Sequence, residues 1–188
     1  MLIDVATHRL RELLRTHSFA RRRVTLASGR ESDFFIDCKQ TALLAEGHVL
    51  VGRVMLDASR NLTRVPDAVA GVELGGCPLA SAVAIASFES GKPMDAIYVR
   101  KDAKDHGSKR TLEGNTHLPA GASVVVLEDV VTTGGSTLKA VEKIRAAGYL
   151  VNDVIALVDR LEGGRDAIES AGLRFHAIYT RQDFMGAD

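Results

Sequence analysis

The stretch "VVVLEDVVTTGGSTLKA", Val124 to Ala140, sets four apolar residues ahead of two adjacent carboxylates, Glu128 and Asp129, and follows them with hydroxyls and glycines. Neighbouring acids repel each other, so such a pair costs stability unless something cationic or rich in hydroxyls binds it. The loop Thr132 to Thr137 offers several hydroxyls and, through Gly134 and Gly135, backbone N–H groups at the start of a helix, which is how proteins cradle phosphate. The loop lacks the Lys of a nucleoside-triphosphate loop and the glycine spacing of a dinucleotide fold. A ligand with one terminal phosphate and neighbouring hydroxyls fits, and a ribose 5-phosphate is such a ligand. The plainer alternative is a strand-end turn with a capped helix, for which Thr133 or Ser136 would suffice alone.

Three further stretches hold reactive or binding side chains. Arg100 to Gly114 gathers Arg100, Lys101, Lys104, His106, Lys109 and Arg110 against Asp102, Asp105 and Glu113, with Gly107 and Gly114 as hinges. Most charge-rich loops are simply solvated. This one directly follows an apolar strand and concentrates donors suited to pyrophosphate, so it reads as a lid. The turn Glu73 to Cys77 precedes Pro78 at a helix start and is either a tight turn or a second anion-binding backbone. In "ALVDR", Arg160 reads on its own as an ordinary surface partner for Asp159, and of Phe34 and Phe35, most simply core residues of a strand, at least one must point inward. Cys77 has no nearby His to activate it, and His8, His17, His48, His117 and His176 show no ligand spacing.

These residues need a scaffold, and the hydrophobic pattern supplies one. Ile3, Ala6, Leu10, Leu13 and Leu14 share a helix face. "RRVTLASGRESDFFIDC" reads as two strands around Ser28 and Gly29, and "TALLAEGHVLVGRVMLDASRNL" as one long helix weakened at Gly47 and Gly52. The strands "DAVAGV", "DAIYVR", "SVVVLED", "NDVIALVDR" and "RFHAIYT" then alternate with helices, of which "PLASAVAIASFES" is opened by Pro78 and closed by Gly91. Strict alternation predicts an α/β fold with a parallel sheet covered on both faces. In such sheets ligands sit beyond the carboxyl ends of the strands, where Glu128 and Asp129 lie.

The chain has 188 residues, 46% of them hydrophobic, and 24 basic side chains balance 24 acidic ones. One domain with a sizeable core is expected, with residues of about 1–40 as a flap. Zero net charge argues against a general nucleic-acid binder. No apolar run is long enough to span a membrane, and two distant cysteines, Cys38 and Cys77, indicate neither a disulfide framework nor zinc, so the expected compartment is the reducing cytoplasm.

"VVVLEDVVTTGGST" resembles the phosphoribosyl pyrophosphate (PRPP) motif of type I phosphoribosyltransferases. "LASGRESDFFID", "GVELGGCPLA", "YVRKDAKDHGSKRTLEG" and "ALVDR" follow in an order that resembles the orotate phosphoribosyltransferases over most of the chain. The resemblance implies a mostly parallel sheet flanked by helices beneath a small N-terminal hood, and transfer of the phosphoribosyl group to orotate. It assigns catalysis to Asp129, Lys104 and His106. PRPP would be held by Arg100, Lys101, Lys104 and His106 and by Glu128, Asp129, Val130, Val131, Thr132, Thr133, Gly134, Gly135 and Ser136. Pyrophosphate would lie on Glu73, Leu74, Gly75 and Gly76, and orotate on Thr132, Arg160, Phe34 and Phe35. Mg²⁺ would arrive mainly on PRPP with no dedicated protein ligand, and a homodimer would share lid residues across subunits.

Two positions depart from the family pattern. Many members carry Lys where this chain has Ala27 and Gly75, which leaves more of the pyrophosphate charge to the lid or to Mg²⁺. A transferase for a purine base would keep the PRPP motif, but "RKDAKDHG" and the Phe34, Phe35 pair argue against it. A PRPP sensor acting on nucleic acid would need a basic module for which the chain has no spare length.

Overall fold

A computed structural model describes residues 2–25, 31–101 and 110–185. Lys104 and His106, the Ser28, Gly29 turn and Ala27 lie outside the described residues. The first helix, α1 (Leu2–His17), buries Ala6, Leu10, Leu13 and Leu14 on the face that its spacing predicts. Strands β1 (Phe19–Thr25) and β2 (Glu31–Ile36) pair antiparallel, with alternate residues of β2 turned inward.

The helix predicted over "TALLAEGHVLVGRVMLDASRNL" is instead two, α2 (Lys39–Ala42) and α3 (Ala45–Arg60). The glycines read as weak points are close-approach points. A Cβ on Gly47 would come within 2.0 Å of the Thr41 carbonyl oxygen, and one on Gly52 within 2.6 Å of the Ala82 carbonyl oxygen. Gly47 thus permits the tight α2–α3 corner, and Gly52 lets α3 lie against the next helix.

The remaining chain runs β3 (Ala68–Val72), α4 (Gly76–Glu89), β4 (Asp95–Val99), β5 (Leu112–Glu113), β6 (Val124–Val131), α5 (Gly135–Ala146), β7 (Asp153–Asp159), α6 (Gly164–Ser170), β8 (Arg174–Thr180) and α7 (Gln182–Met185). The main sheet has the order β5-β4-β3-β6-β7-β8. All its pairings are parallel except that of β5, an antiparallel edge strand that strict alternation did not anticipate. Every residue of β7 is buried, as expected of a parallel strand covered on both faces.

From β3 the chain crosses to β4 on one side, then returns to place β6 on the other side of β3. The order therefore reverses between β3 and β6, and a crevice opens beyond their carboxyl ends. One core packs α1, β2, α3 and α4 against Val69, Val125 and Leu127, and the other packs α5 and α6 against Ala68, Val124 and Val126. Within the first, the rings of Phe19, Phe34 and Phe184 lie 5.4 to 6.2 Å apart and tie the N-terminal hairpin to the end of the chain. Among the described residues no helix is long and apolar enough to cross a membrane.

Candidate active site at the sheet switch point

Alternation along β6 decides where its two acids point. Val124 and Val126 face α5, while Val125 and Leu127 face α3 and α4. Glu128 and Asp129 continue that alternation and diverge. Glu128 is buried, and its Oε1 accepts hydrogen bonds from Ser136 Oγ at 3.0 Å and Thr137 Oγ1 at 3.1 Å in the first turn of α5. Burial, and then the charge of Asp129, push its pKa up to about 7. The hydroxyl-rich partner that the pair requires thus comes from the same segment of chain, from Ser136 and Thr137 at the end of the loop.

Asp129 is half-buried and faces the hood. Burial raises its pKa, and the Lys39 ammonium opposes that rise. Lys39 Nζ lies 2.6 Å from Asp37 Oδ1, so an Asp37–Lys39 pair supplies the cation on this side. Nothing local in "DCKQ" signals that role, because it depends on the fold bringing Lys39 within electrostatic reach of Asp129. Gly75 comes against Asp129 from above, and a Cβ there would fall 2.0 Å from Asp129 Oδ2. A Lys at this position would require Asp129 to move, which gives the departure at Gly75 a physical basis in this chain.

The loop after β6 leads through Val130 and Val131 to Thr132, half-buried, and to Thr133, Gly135 and Ser136, all exposed, around a buried Gly134. Gly134 caps α5 with φ of +79°, and a Cβ would approach the Gly164 carbonyl oxygen and the Ile168 side chain to 3.2 Å. Exposed hydroxyls and the free N–H groups of a helix start therefore ring an open anion site. On the β3 side, Glu73 and Leu74 are exposed and Gly75 and Gly76 approach the sheet. Glu73 Oε2 accepts from the Lys101 N–H at 2.8 Å, and Lys143 Nζ donates to the carbonyl oxygens of Arg100 at 2.7 Å and Lys101 at 2.8 Å. A cavity of about 340 Å³ lies there, lined by Glu73, Ser136 and the cationic side chains of Arg100, Lys101, Lys139 and Lys143.

Arg160 does not pair with Asp159, whose Oδ1 instead accepts from the Leu161 N–H at 2.8 Å. The Arg160 side chain is buried, and its Nη2 donates to Ser32 Oγ at 3.2 Å and to the Phe34 carbonyl oxygen at 3.0 Å. Its Nε donates to Glu162 Oε1 at 3.0 Å. Sequence reasoning missed Ser32 and Glu162. Phe34 is fully buried in the aromatic cluster and meets Arg160 with both its carbonyl oxygen and its ring, whose centroid lies 5.5 Å from the guanidinium carbon, whereas Phe35 is half-exposed beneath the Arg22 guanidinium, 3.9 Å from the ring centroid. The described residues thus bring together Asp129, Glu128, the loop Thr132 to Ser136, the turn Glu73 to Gly76, Arg100, Lys101 and Arg160 at one end of the sheet. They leave Lys104 and His106 outside the description.

The phosphoribosyl transferase domain family matches residues 40–171. An orotate phosphoribosyltransferase of Sorangium cellulosum is 64% identical over 177 residues, covering 94% of this chain and 92% of that protein. One from Nostoc is 44% identical over 182 residues, covering 96% and 86%. Among solved structures, the orotate phosphoribosyltransferase of Mycobacterium tuberculosis superposes with a TM-score of 0.81 at 38% identity, covering 96% of this chain and 99% of that one. The same enzyme in complex with PRPP gives 0.77 at 34% identity, covering 95% and 98%.

Proposed function

The chain belongs to the orotate phosphoribosyltransferases, and on that footing we propose how its residues carry the reaction. It transfers the 5-phosphoribosyl group of PRPP to orotate, giving orotidine 5′-phosphate and pyrophosphate, a pentosyl transfer in pyrimidine biosynthesis. The ribose lies in the crevice between β3 and β6, its hydroxyls on Asp129 and Glu128 and its 5-phosphate on Thr132 to Ser136. The observation that carries this reading is the pairing of two buried or half-buried acids with an open helix start at the sheet's reversal point.

As the C1–O bond breaks, its electron pair leaves with pyrophosphate and the ribose gains oxocarbenium character. Asp129 lies on the ribose side to stabilise that positive charge, and the orotate ring nitrogen forms the new bond to C1 from the opposite face. The departing oxygens meet the backbone of Glu73 to Gly76 and the cations Arg100 and Lys101. Family resemblance adds Lys104 and His106 from the neighbouring subunit. Arg160, Thr132 and Phe35 position the base, which matters greatly when two substrates must meet in one orientation.

Among the described residues no group of three or more His, Cys, Asp or Glu side chains could hold a metal ion. Mg²⁺ would come mainly on PRPP, with Asp129 as the carboxylate of the crevice nearest to it, and would supply positive charge to neutralise the leaving pyrophosphate. A second copy of the chain has a surface to pair with: α4 is apolar nearly all round, yet Ile85 is 56% and Phe88 75% exposed, beside Tyr98 on β4. A helix apolar on every side is ordinarily buried on every side. Cys38 and Cys77, free and buried, suit a reducing cytoplasm.

The test is a panel of bases incubated with PRPP and Mg²⁺, with pyrophosphate release followed for each. Release with orotate alone is the expected result. Release with a purine, or with no base, would overturn the reading.

A further inference from the structure

The Arg160 fork is held through Nε and Nη2. Its Nε donates to Glu162 Oε1 at 3.0 Å, and Nη2 lies 3.0 Å from the same oxygen while also reaching Ser32 Oγ and the Phe34 carbonyl oxygen. Among the described residues, Nη1 makes no hydrogen bond. Glu162 reaches this position through an unfavourable turn: Leu161 has φ of +58°, the one non-glycine residue with positive φ among the described residues, and Gly163 follows at +90°. The side chains of Arg160 and Glu162 are only 10% and 11% exposed. Glu162 Oε2 is buried with no hydrogen-bond partner among the described residues. A strained backbone and an unsatisfied buried oxygen both oppose this placement, so it is over-determined by its surroundings and is a candidate for function rather than stability.

We infer that Glu162 is the positioning residue of the base pocket: by occupying the Nε–Nη2 edge of Arg160 it leaves the Nη1 edge as the one presented to orotate. This rests on the function proposed above. Simple electrostatics would give the contrary expectation, because a carboxylate beside an arginine weakens the attraction for an anionic substrate. Positioning and charge therefore predict opposite signs when Glu162 is removed.

The experiment is steady-state kinetics on wild type, Glu162→Ala and Glu162→Gln, with the KM of each substrate, kcat and the melting temperature measured together. If Glu162 positions Arg160, Glu162→Ala raises the orotate KM roughly ten-fold, with the PRPP KM and melting temperature little changed. Glu162→Gln, whose amide oxygen still accepts from Nε and Nη2, recovers most of the loss. If Glu162→Ala melts, Glu162→Asp withdraws the carboxylate while keeping its charge and should again raise the orotate KM. An orotate KM that is unchanged or lower, or both KM values rising together, would overturn the inference while leaving the function intact. Failure of the wild type to release pyrophosphate with orotate would overturn both.

Discussion

Glu128 keeps its carboxylate buried against Ser136 and Thr137 while Asp129 adds a second negative charge beside it. Its pKa of about 7 in the folded chain stands above its ordinary 4.5. Between those values the folded chain binds more protons than the unfolded one, so stability is highest below the lower value and declines as pH rises through the window. The whole shift corresponds to roughly 3 kcal/mol as an upper figure. Thermal melts of wild type should therefore fall between about pH 5 and pH 8, and Glu128→Gln should flatten that decline. A parallel decline in the variant would remove Glu128 as its source. At this scale the sequence was legible where chemistry is local: adjacent acids, a hydroxyl and glycine run, and an arginine at a strand end are all visible in one short window. Ser32 meets Arg160 across 128 positions of chain, and Lys39 comes within electrostatic reach of Asp129 from 90 positions away, so neither had a local signal.

The unit formed by β6 and α5 depends on how the helix starts. Gly134 is left-handed and also packed against Gly164 and Ile168, so Gly134→Ala suffers twice, with a backbone cost of about 1–2 kcal/mol before any steric shift. Gly148, at φ of +90° with nothing within 4 Å of a Cβ, ends the same helix and carries the backbone cost alone. Gly134→Ala should lower the melting temperature and raise the PRPP KM, whereas Gly148→Ala should lower the melting temperature only. An unchanged PRPP KM in Gly134→Ala would separate the helix start from phosphate binding. Most strands and helices follow from periodicity, because a doubly covered sheet needs apolar runs and its helices need an apolar stripe. The corner at Leu43 and Leu44 escaped because both residues are apolar and continue the helical pattern, although both are exposed. Two-residue β5 is too short to carry any period.

Across the whole molecule, the apolar face of α4 and the chemistry of pyrophosphate release are linked if the partner subunit supplies Lys104 and His106. Phe88→Glu places a charge in that face without touching the crevice, so sedimentation should show monomers with a near-normal melting temperature and most of the activity lost. Monomers with full activity would show that each site is complete alone, and persistent dimers would move the interface elsewhere. If one crevice holds two substrates by separate sets of residues, calorimetric titration of each ligand into Arg160→Ala and Asp129→Asn separates the two sets. Arg160→Ala should lose orotate affinity by on the order of 1.5 to 3 kcal/mol while binding PRPP nearly as wild type does, and Asp129→Asn should lose PRPP affinity while Arg160 remains in place. If either variant weakens both ligands equally, or if Arg160→Ala binds orotate unchanged, the two-set account of this site is wrong.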